Sequence, residues 1–249
     1  QATRAALADG GVSMRDIGIL AAGNLMGGGA LGQQLQKQVG QTGIPVYNDA
    51  NACATGATAL RTAIMAIKAG ETDMGLAVGV EKLSGAGLLG VGGAKKQSDT
   101  WEPSGRQGAI MGLDGRVNTD NMPGTFAQIG MEYGHKYGGV SFELFARISE
   151  KNHMHSTLNP LAAYSKAMSV EQIMNDVMIA YPNTRPMCSA NCDGAAAAVV
   201  VSDEKLKTLS DDQRRRAIRV AASVLTTASA SVASMQRVLS LTIAFEISG

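Results

Sequence analysis

Cys53 lies in Asn51-Ala52-Cys53-Ala54-Thr55-Gly56-Ala57-Thr58-Ala59-Leu60, between a short β-prone stretch, Ile44 to Asn48, and a strongly helical run, Arg61 to Lys68. A thiol held where a strand turns into a helix sits at the positive end of the helix dipole, among backbone N–H groups with no intrahelical partner. That arrangement stabilises an anion and suits an acyl-accepting nucleophile. The small residues Ala52, Ala54, Gly56 and Ala57 leave room for a substrate at the sulfur and let the backbone turn sharply. The same pattern also suits a small buried residue packed at a tight strand-to-helix junction, so the local residues leave two readings open.

Other groups with chemical potential are weaker. Arg214-Arg215-Arg216 follows Asp211-Asp212 and reads as a solvated loop or helix end rather than a phosphate site. His135 falls at an expected helix end, where an exposed histidine is common. No metal site is expected: His153-x-His155 is too tight for an i, i+4 helical pair, and Cys188-x3-Cys192 has no second pair nearby. Cys188 and Cys192 flank an expected turn and read as packing residues. The loop Gly23-Asn24-Leu25-Met26-Gly27-Gly28-Gly29 is glycine-rich, which alone is weak evidence for phosphate binding.

With 249 residues, 45% of them hydrophobic, the chain can bury a substantial core. A formal net charge of +1, with both signs interspersed, gives no basic face for nucleic acid. Three cysteines do not read as a disulfide framework and fit a reducing compartment. No stretch reaches the roughly 18 to 20 apolar residues of a membrane span. Gln1-Ala2-Thr3-Arg4 lacks an initiator Met and opens inside a helical pattern, so a preceding strand or targeting segment is expected outside this chain.

These groups need elements to position them. Residues 2–9 read as a helix ended by Gly10-Gly11, Ile17 to Ala21 as a buried strand, and Leu31 to Val39 as a second helix. Gly70 closes the helix after Cys53, and Met74 to Val80 is another apolar strand leading to Glu81-Lys82-Leu83-Ser84. Alternating helices and short apolar strands imply a parallel sheet with helices on both faces. Asn24, Cys53 and Glu81 then all fall beyond the carboxyl ends of strands, where such folds place catalytic loops. Gly85 to Gly130, with Lys95-Lys96, Trp101-Glu102-Pro103 and Met122-Pro123-Gly124, reads as a long, partly mobile excursion. Helical spacing returns over Phe142 to Asn152, with Phe142, Phe145, Ala146 and Ile148 on one side. Ser169-Val170-Glu171-Gln172 opens a short helix, its Glu at the second rather than the third position after Ser169. Ala195 to Val201 reads as a fully buried strand, Ile218 to Leu225 as its neighbour, and Met235 to Ile247 as a last helix.

Several separated segments resemble the thiolase superfamily, specifically its sterol-carrier-protein type, the branch of lipid-transfer-protein thiolases. Asn51-Ala52-Cys53-Ala54-Thr55-Gly56 is similar to the block holding that family's acyl-accepting cysteine, and Gly79-Val80-Glu81-Lys82-Leu83-Ser84 to the turn after its next strand. Gly130-Met131-Glu132-Tyr133, Lys151-Asn152-His153-Met154-His155-Ser156 with Asn159-Pro160, and Asp193-Gly194-Ala195-Ala196-Ala197-Ala198 follow in matching order. The resemblance runs from Ala5 to Gly249 and implies an α/β, thiolase-like layered fold, with helices on both faces of mixed sheets. It divides the chain into a nucleophile-bearing N-terminal thiolase half at 1–84, a loop or lid insertion at 85–185, and, at 186–249, the rest of that half's sheet with the start of a C-terminal half. Family members begin with a further strand and continue into a His-Asp-Cys-Phe segment, so the resemblance implies a chain incomplete at both ends: part of a longer protein or, as the alternative, a degenerate subunit.

The resemblance implies a thiolytic acyltransferase that cleaves 3-ketoacyl-CoA, fatty acyl or sterol side chain, through a Cys53 acyl-enzyme. The Cys53 backbone N–H would then serve one oxyanion hole, with its partner donor in the absent C-terminal part. It implies Asn24, Met26, His153 and His155 as substrate-binding residues, coenzyme A as substrate without a tightly bound cofactor, and no metal. His153 and His155, read as a turn, would line the substrate tunnel or meet the nucleotide end of CoA. The alternative is that they hydrogen-bond loop backbone. A homodimer is implied, with the Asn24 loop and the helix after Cys53 at the twofold axis. The location implied is cytoplasmic, or peroxisomal or mitochondrial in a eukaryote. Two other functions remain: a steroid side-chain retro-aldolase on the same scaffold, against which retention of Cys53 argues, and a non-catalytic acyl-CoA-binding subunit.

Overall fold

The computed structural model describes residues 1–84, 110–112, 115–117 and 122–226. These form two compact units. One holds Gln1–Lys82 together with the described residues after Cys192, and the other holds the described residues of Leu83–Cys192.

The first unit is built on a four-stranded mixed sheet of β1 (Ile19–Gly23), β2 (Val46–Asp49), β3 (Met74–Glu81) and β8 (Gly194–Val201), in the order β2-β1-β3-β8. β1 pairs in parallel with β2 and β3, placing Gly23 beside Asp49 on one side and Gly79 on the other. β8 runs antiparallel to β3, from Met74 opposite Val201 to Glu81 opposite Gly194. The all-parallel sheet expected from helix–strand alternation is thus corrected at one edge, while mixed sheets covered on both faces, as the resemblance implied, are what the structure has.

The two faces differ in side-chain size, and that difference sets the site. Leu20, Met74, Leu76 and Val78 point to one face, where α1 (Ala2–Gly10) contributes Leu7 and α2 (Leu31–Val39) contributes Leu35 and Val39. Ala21 and Ala77 point to the other, against Ala59 and Ala63 of α3 (Thr55–Lys68). Small residues on both sides let α3 lie close to the strands. A Cβ built on Gly79 would stand 3.0 Å from the Cα of Gly56, and one on Gly23 only 2.7 Å from the carbonyl oxygen of Thr55. Neither contact leaves room for a side chain, so glycine at these positions docks the first turn of α3 directly on the carboxyl ends of β1 and β3.

Among the described residues β8 stands at one edge of the sheet and is only partly buried, with Gly194, Ala195 and Ala196 exposed. This corrects the reading of a fully buried strand. Its expected neighbour does not form: residues 217–226 take no helix or strand, and Ile218 is 70% exposed. The Arg61 guanidinium donates to the Ser223 carbonyl, tying this irregular segment to α3.

In the second unit, β4 (Ile110–Gly112) and β5 (Gly115–Val117) form a hairpin and β6 (Met178–Ala180) pairs with β7 (Asn183–Thr184). The helices are α4 (Met122–Tyr137), α5 (Phe142–Ser156) and α6 (Val170–Met174). The stretch from Met122 to Gly130 is helix, not the end of an excursion; Lys95-Lys96 and Trp101-Glu102-Pro103 lie outside the described residues, as does the helix expected over Met235 to Ile247. α5 starts at Ser141, whose hydroxyl accepts the Leu144 N–H at 3.1 Å, and buries Ala146, Ser149 and His153. Ile148, expected on the covered side, is exposed. α6 carries a full capping box closed by Gln172 rather than Glu171: Ser169 Oγ accepts the Gln172 N–H at 3.2 Å, and Gln172 Oε1 accepts the Ser169 N–H at 2.9 Å. After β8 come two short helices, α7 (Asp203–Leu206) and α8 (Asp211–Arg216). The Arg214–Arg216 triplet forms the last turn of α8 and pairs with Asp211, Asp212 and Asp9, the solvated helix end read from the sequence.

Candidate active site

Cys53 stands one residue ahead of the helix cap Ala54, and its side chain is exposed. The turn that presents it is held by two threonine hydroxyls from the first turn of α3. Thr55 Oγ1 accepts the Asn51 N–H at 2.8 Å and donates to the Ala52 carbonyl at 2.6 Å. Thr58 Oγ1 accepts from Asn51 Nδ2 at 2.9 Å and donates to the Ala54 carbonyl at 3.0 Å. Ala54 N–H to Asn51 O, 3.0 Å, and Thr55 N–H to Ala52 O, 3.2 Å, complete the turn. Ala52 takes φ 46°, a left-handed conformation costly for a residue with a Cβ. The backbone N–H groups of Gly56 and Ala57, at the amino end of α3, hydrogen-bond to no described residue. Among the described residues nothing hydrogen-bonds the Cys53 thiol.

Asn24 and Met26 follow β1 in the loop beside this turn. Asn24 Nδ2 donates to the Val80 carbonyl at 2.7 Å and to Glu81 Oε1 at 3.2 Å, and Asn24 Oδ1 accepts the Gly27 N–H. The N–H groups of Leu25 and Met26 donate to Glu81 Oε2 at 2.9 and 3.2 Å. Asn24, Cys53 and Glu81 therefore sit at the carboxyl ends of β1, β2 and β3, as the strand order demands. The Asn24 side chain is engaged in folding the loop, while Met26 is partly buried within it.

His153 and His155 belong to the second unit and lie on α5, not in a turn. His153 is buried at 6% exposure, and its Nε2 is 3.0 Å from the Pro186 carbonyl, so that ring nitrogen carries the proton and donates. Ser149 Oγ donates to the same carbonyl at 2.9 Å. His153 thus hydrogen-bonds backbone, while His155 is exposed. His153 and the Tyr164 ring, 5.3 Å apart, line a cavity of about 530 Å³ with Cys188 and Cys192. Burial pushes the Cys188 thiol up from its ordinary range, and the thiol reaches the Thr184 carbonyl at 3.5 Å. That fits its reading as packing; Cys192 is exposed. His135 is exposed in the last turn of α4.

Residues 1–98 match the family model of the thiolase N-terminal domain. Residues 1–98 thus carry a thiolase N-terminal domain. The chain is 35% identical over 211 residues to the non-specific lipid-transfer protein-like 2 of Caenorhabditis elegans, which covers 83% of this chain and 50% of that protein. It is 31% identical over 229 residues to sterol carrier protein 2 of Gallus gallus, covering 91% of this chain and 40% of that protein. Among solved structures it is similar to an Ltp2-ChsH2(DUF35) aldolase, with a TM-score of 0.59 and 18% identity over 91% of this chain and 53% of that one, which shows a shared fold. The chain thus spans half or less of the length of these two curated relatives.

Two further carboxylates belong to this site, Glu81 placed at a strand end by the sequence and Asp49 not singled out by it. Glu81 receives both loop amides, and the pointer to it is an acidic residue at the carboxyl end of an otherwise apolar strand. Asp49, at the end of β2, is the other: burial raises its carboxyl above the ordinary range, partly offset by the Thr62 hydroxyl at 3.1 Å, and its Oδ2 is buried without a partner among the described residues. No three His, Cys, Asp or Glu side chains among the described residues come close enough to share a metal ion, and no described helix is long and apolar enough to cross a membrane.

Proposed function

We propose that this chain carries the nucleophilic half of a thiolytic acyltransferase acting on 3-ketoacyl-CoA. The observation that carries the reading is Cys53 itself: an exposed thiol on a strained turn, one residue before the cap of α3, at the carboxyl ends of parallel strands in a thiolase N-terminal domain. Cys53 sulfur attacks the keto carbon. The Cα–Cβ bond then breaks, the acyl group remains on sulfur as a thioester, and acetyl-CoA leaves as an enolate that takes a proton. The thiol of a second CoA attacks the thioester, releasing acyl-CoA and returning Cys53. Negative charge on the oxygen of each tetrahedral intermediate is met by backbone N–H groups at the amino end of α3, that of Cys53 first. Coenzyme A enters as substrate, with no tightly bound cofactor, and the active assembly is a homodimer. Asn24 and Met26 contribute through the loop that walls the substrate, His155 as an exposed group on α5, and His153 by holding the Pro186 backbone.

The test uses the full-length protein with a 3-ketoacyl-CoA in the absence of free CoA. Mass spectrometry of the quenched protein should show the acyl mass on the peptide containing Cys53, and Cys53→Ala should abolish both adduct and thiolysis. Turnover retained by Cys53→Ala would overturn the reading in favour of the retro-aldolase. Tight acyl-CoA binding with neither adduct nor turnover would favour a non-catalytic binding subunit.

A further inference from the structure

We infer that Glu81 is a positioning residue whose carboxylate locks the Asn24–Gly27 loop as the wall that receives the acyl chain. The inference rests on the acyltransferase reading above.

Glu81 ends β3 and is partly buried, and its two oxygens collect donors from three places. Oε2 accepts the backbone N–H groups of Leu25 at 2.9 Å and Met26 at 3.2 Å. Oε1 accepts Asn24 Nδ2 at 3.2 Å and the Lys82 N–H at 3.2 Å. Leu25 and Met26 have no helix or strand partner for these amides, so the carboxylate supplies what secondary structure would otherwise supply. Bonds to an ionised acceptor are roughly twice as strong as neutral ones. Asn24 completes the lock from within the loop through the Val80 carbonyl and the Gly27 N–H.

The place of this clamp gives it a functional consequence. Gly23 leads into the loop and lies against Thr55, whose hydroxyl holds the Cys53 turn, while Gly79, two residues before Glu81, lies against Gly56. The loop and the nucleophile turn are therefore docked on the same strand ends. The clamp uses only backbone amides of Leu25 and Met26, which leaves two apolar side chains, one exposed and one partly buried, free to contact an acyl chain. Glu81 acts through them and touches no reacting atom.

The experiment compares full-length wild type with Glu81→Ala and Glu81→Gln, reading three quantities. These are amide hydrogen exchange at Leu25 and Met26, the Kd for decanoyl-CoA, and the Kd for free CoA. In Glu81→Ala the two amides should lose protection, and decanoyl-CoA binding should weaken by about tenfold as the pre-formed wall is lost, while free CoA changes by less than about twofold. Glu81→Gln keeps one oxygen that can accept the Leu25 and Met26 amides but loses the charge, and should fall between the two. It also serves if Glu81→Ala fails to fold. Unchanged amide protection, or equal weakening for decanoyl-CoA and free CoA, would overturn the inference while leaving the acyltransferase reading in place. A wild type that binds neither ligand would instead sink that reading, and this inference with it.

Discussion

Thr55→Val tests whether the hydroxyl of Thr55 is what keeps Cys53 presented. Valine preserves the shape of this buried side chain, 7% exposed, and removes only the oxygen. The Asn51 N–H then loses its acceptor, and the Ala52 carbonyl loses one of two donors, retaining the Thr55 N–H at 3.2 Å. A donor stranded away from water costs about 1–3 kcal/mol, and the second loss is smaller because the carbonyl stays partnered; together they amount to about 2 kcal/mol. Left-handed Ala52 is itself strained by about 1–2 kcal/mol, so once the hydroxyl is gone the turn gains by relaxing. Movement of Cys53 by about 1 Å would lower acylation by about a hundredfold. Thermal unfolding should shift down by about 4–8 °C, and the single-turnover rate of Cys53 acylation should fall well beyond what that loss explains. Thr55→Ser keeps the oxygen and should retain most of both. The reasoning is refuted if Val and Ser at position 55 give the same melting temperature and acylation rate.

Gly79→Val puts a branched side chain where even a Cβ would lie 3.0 Å from the Gly56 backbone. α3 must move, costing about 1–3 kcal/mol by denaturant titration, with acylation reduced further than stability. Asp49→Asn probes a carboxyl raised by burial. The native state binds more protons than the unfolded one, so the carboxylate destabilises the fold as pH rises from the ordinary carboxylate range through the raised value. Asn should therefore raise stability at neutral pH, with the gain shrinking towards acid; a gain equal at both ends of a pH series of urea melts would contradict this. His153→Phe removes the donor to Pro186 and should lower the melting temperature, whereas His155→Ala, at an exposed position, should leave it unchanged; a loss from the second variant alone would reverse the two assignments.

Much of the fold was legible because periodicity and punctuation agreed. Leu31 to Val39 forms the helix expected, Gly10-Gly11 ends α1, and the strand expected from Met74 runs one residue further, to Glu81. Direction and pairing were not legible. Ala195 to Val201 has the small and β-branched residues of a buried strand, but composition does not report whether a strand is flanked on both sides, and among the described residues β8 pairs only with β3. Ile218 to Leu225 has similar composition and pairs with nothing described, since a strand needs an available ladder as well as propensity. The helix carrying His153 was partly legible: Ala146, Ser149 and His153 keep the 3.6-residue spacing, and α5 runs on to Ser156, just short of the Asn159-Pro160 turn signal.

At the site, the sequence placed Cys53, Asn24 and Glu81 at strand ends but not the hydrogen bonds that join them. The residues around Cys53 suit a nucleophile and a packed thiol alike, and the resemblance of its block to a thiolase nucleophile block is what distinguishes it. Thr55, Thr58, Glu81 and Asn24 are ordinary polar residues whose meaning depends on which backbone groups remain unpaired after folding. Those groups follow from one packing decision. Glycine and alanine on the α3 face bring the first helical turn down onto the strand ends, which forces Ala52 left-handed and leaves the Asn51 N–H and the loop amides without ladder partners. Threonine hydroxyls and one carboxylate then supply the missing acceptors. A bulkier α3 face would lift the helix off the strand ends and remove both the strain and the need for these side chains. The polar supports of Cys53 are therefore a consequence of the small-residue face, and they should vary with it as a set.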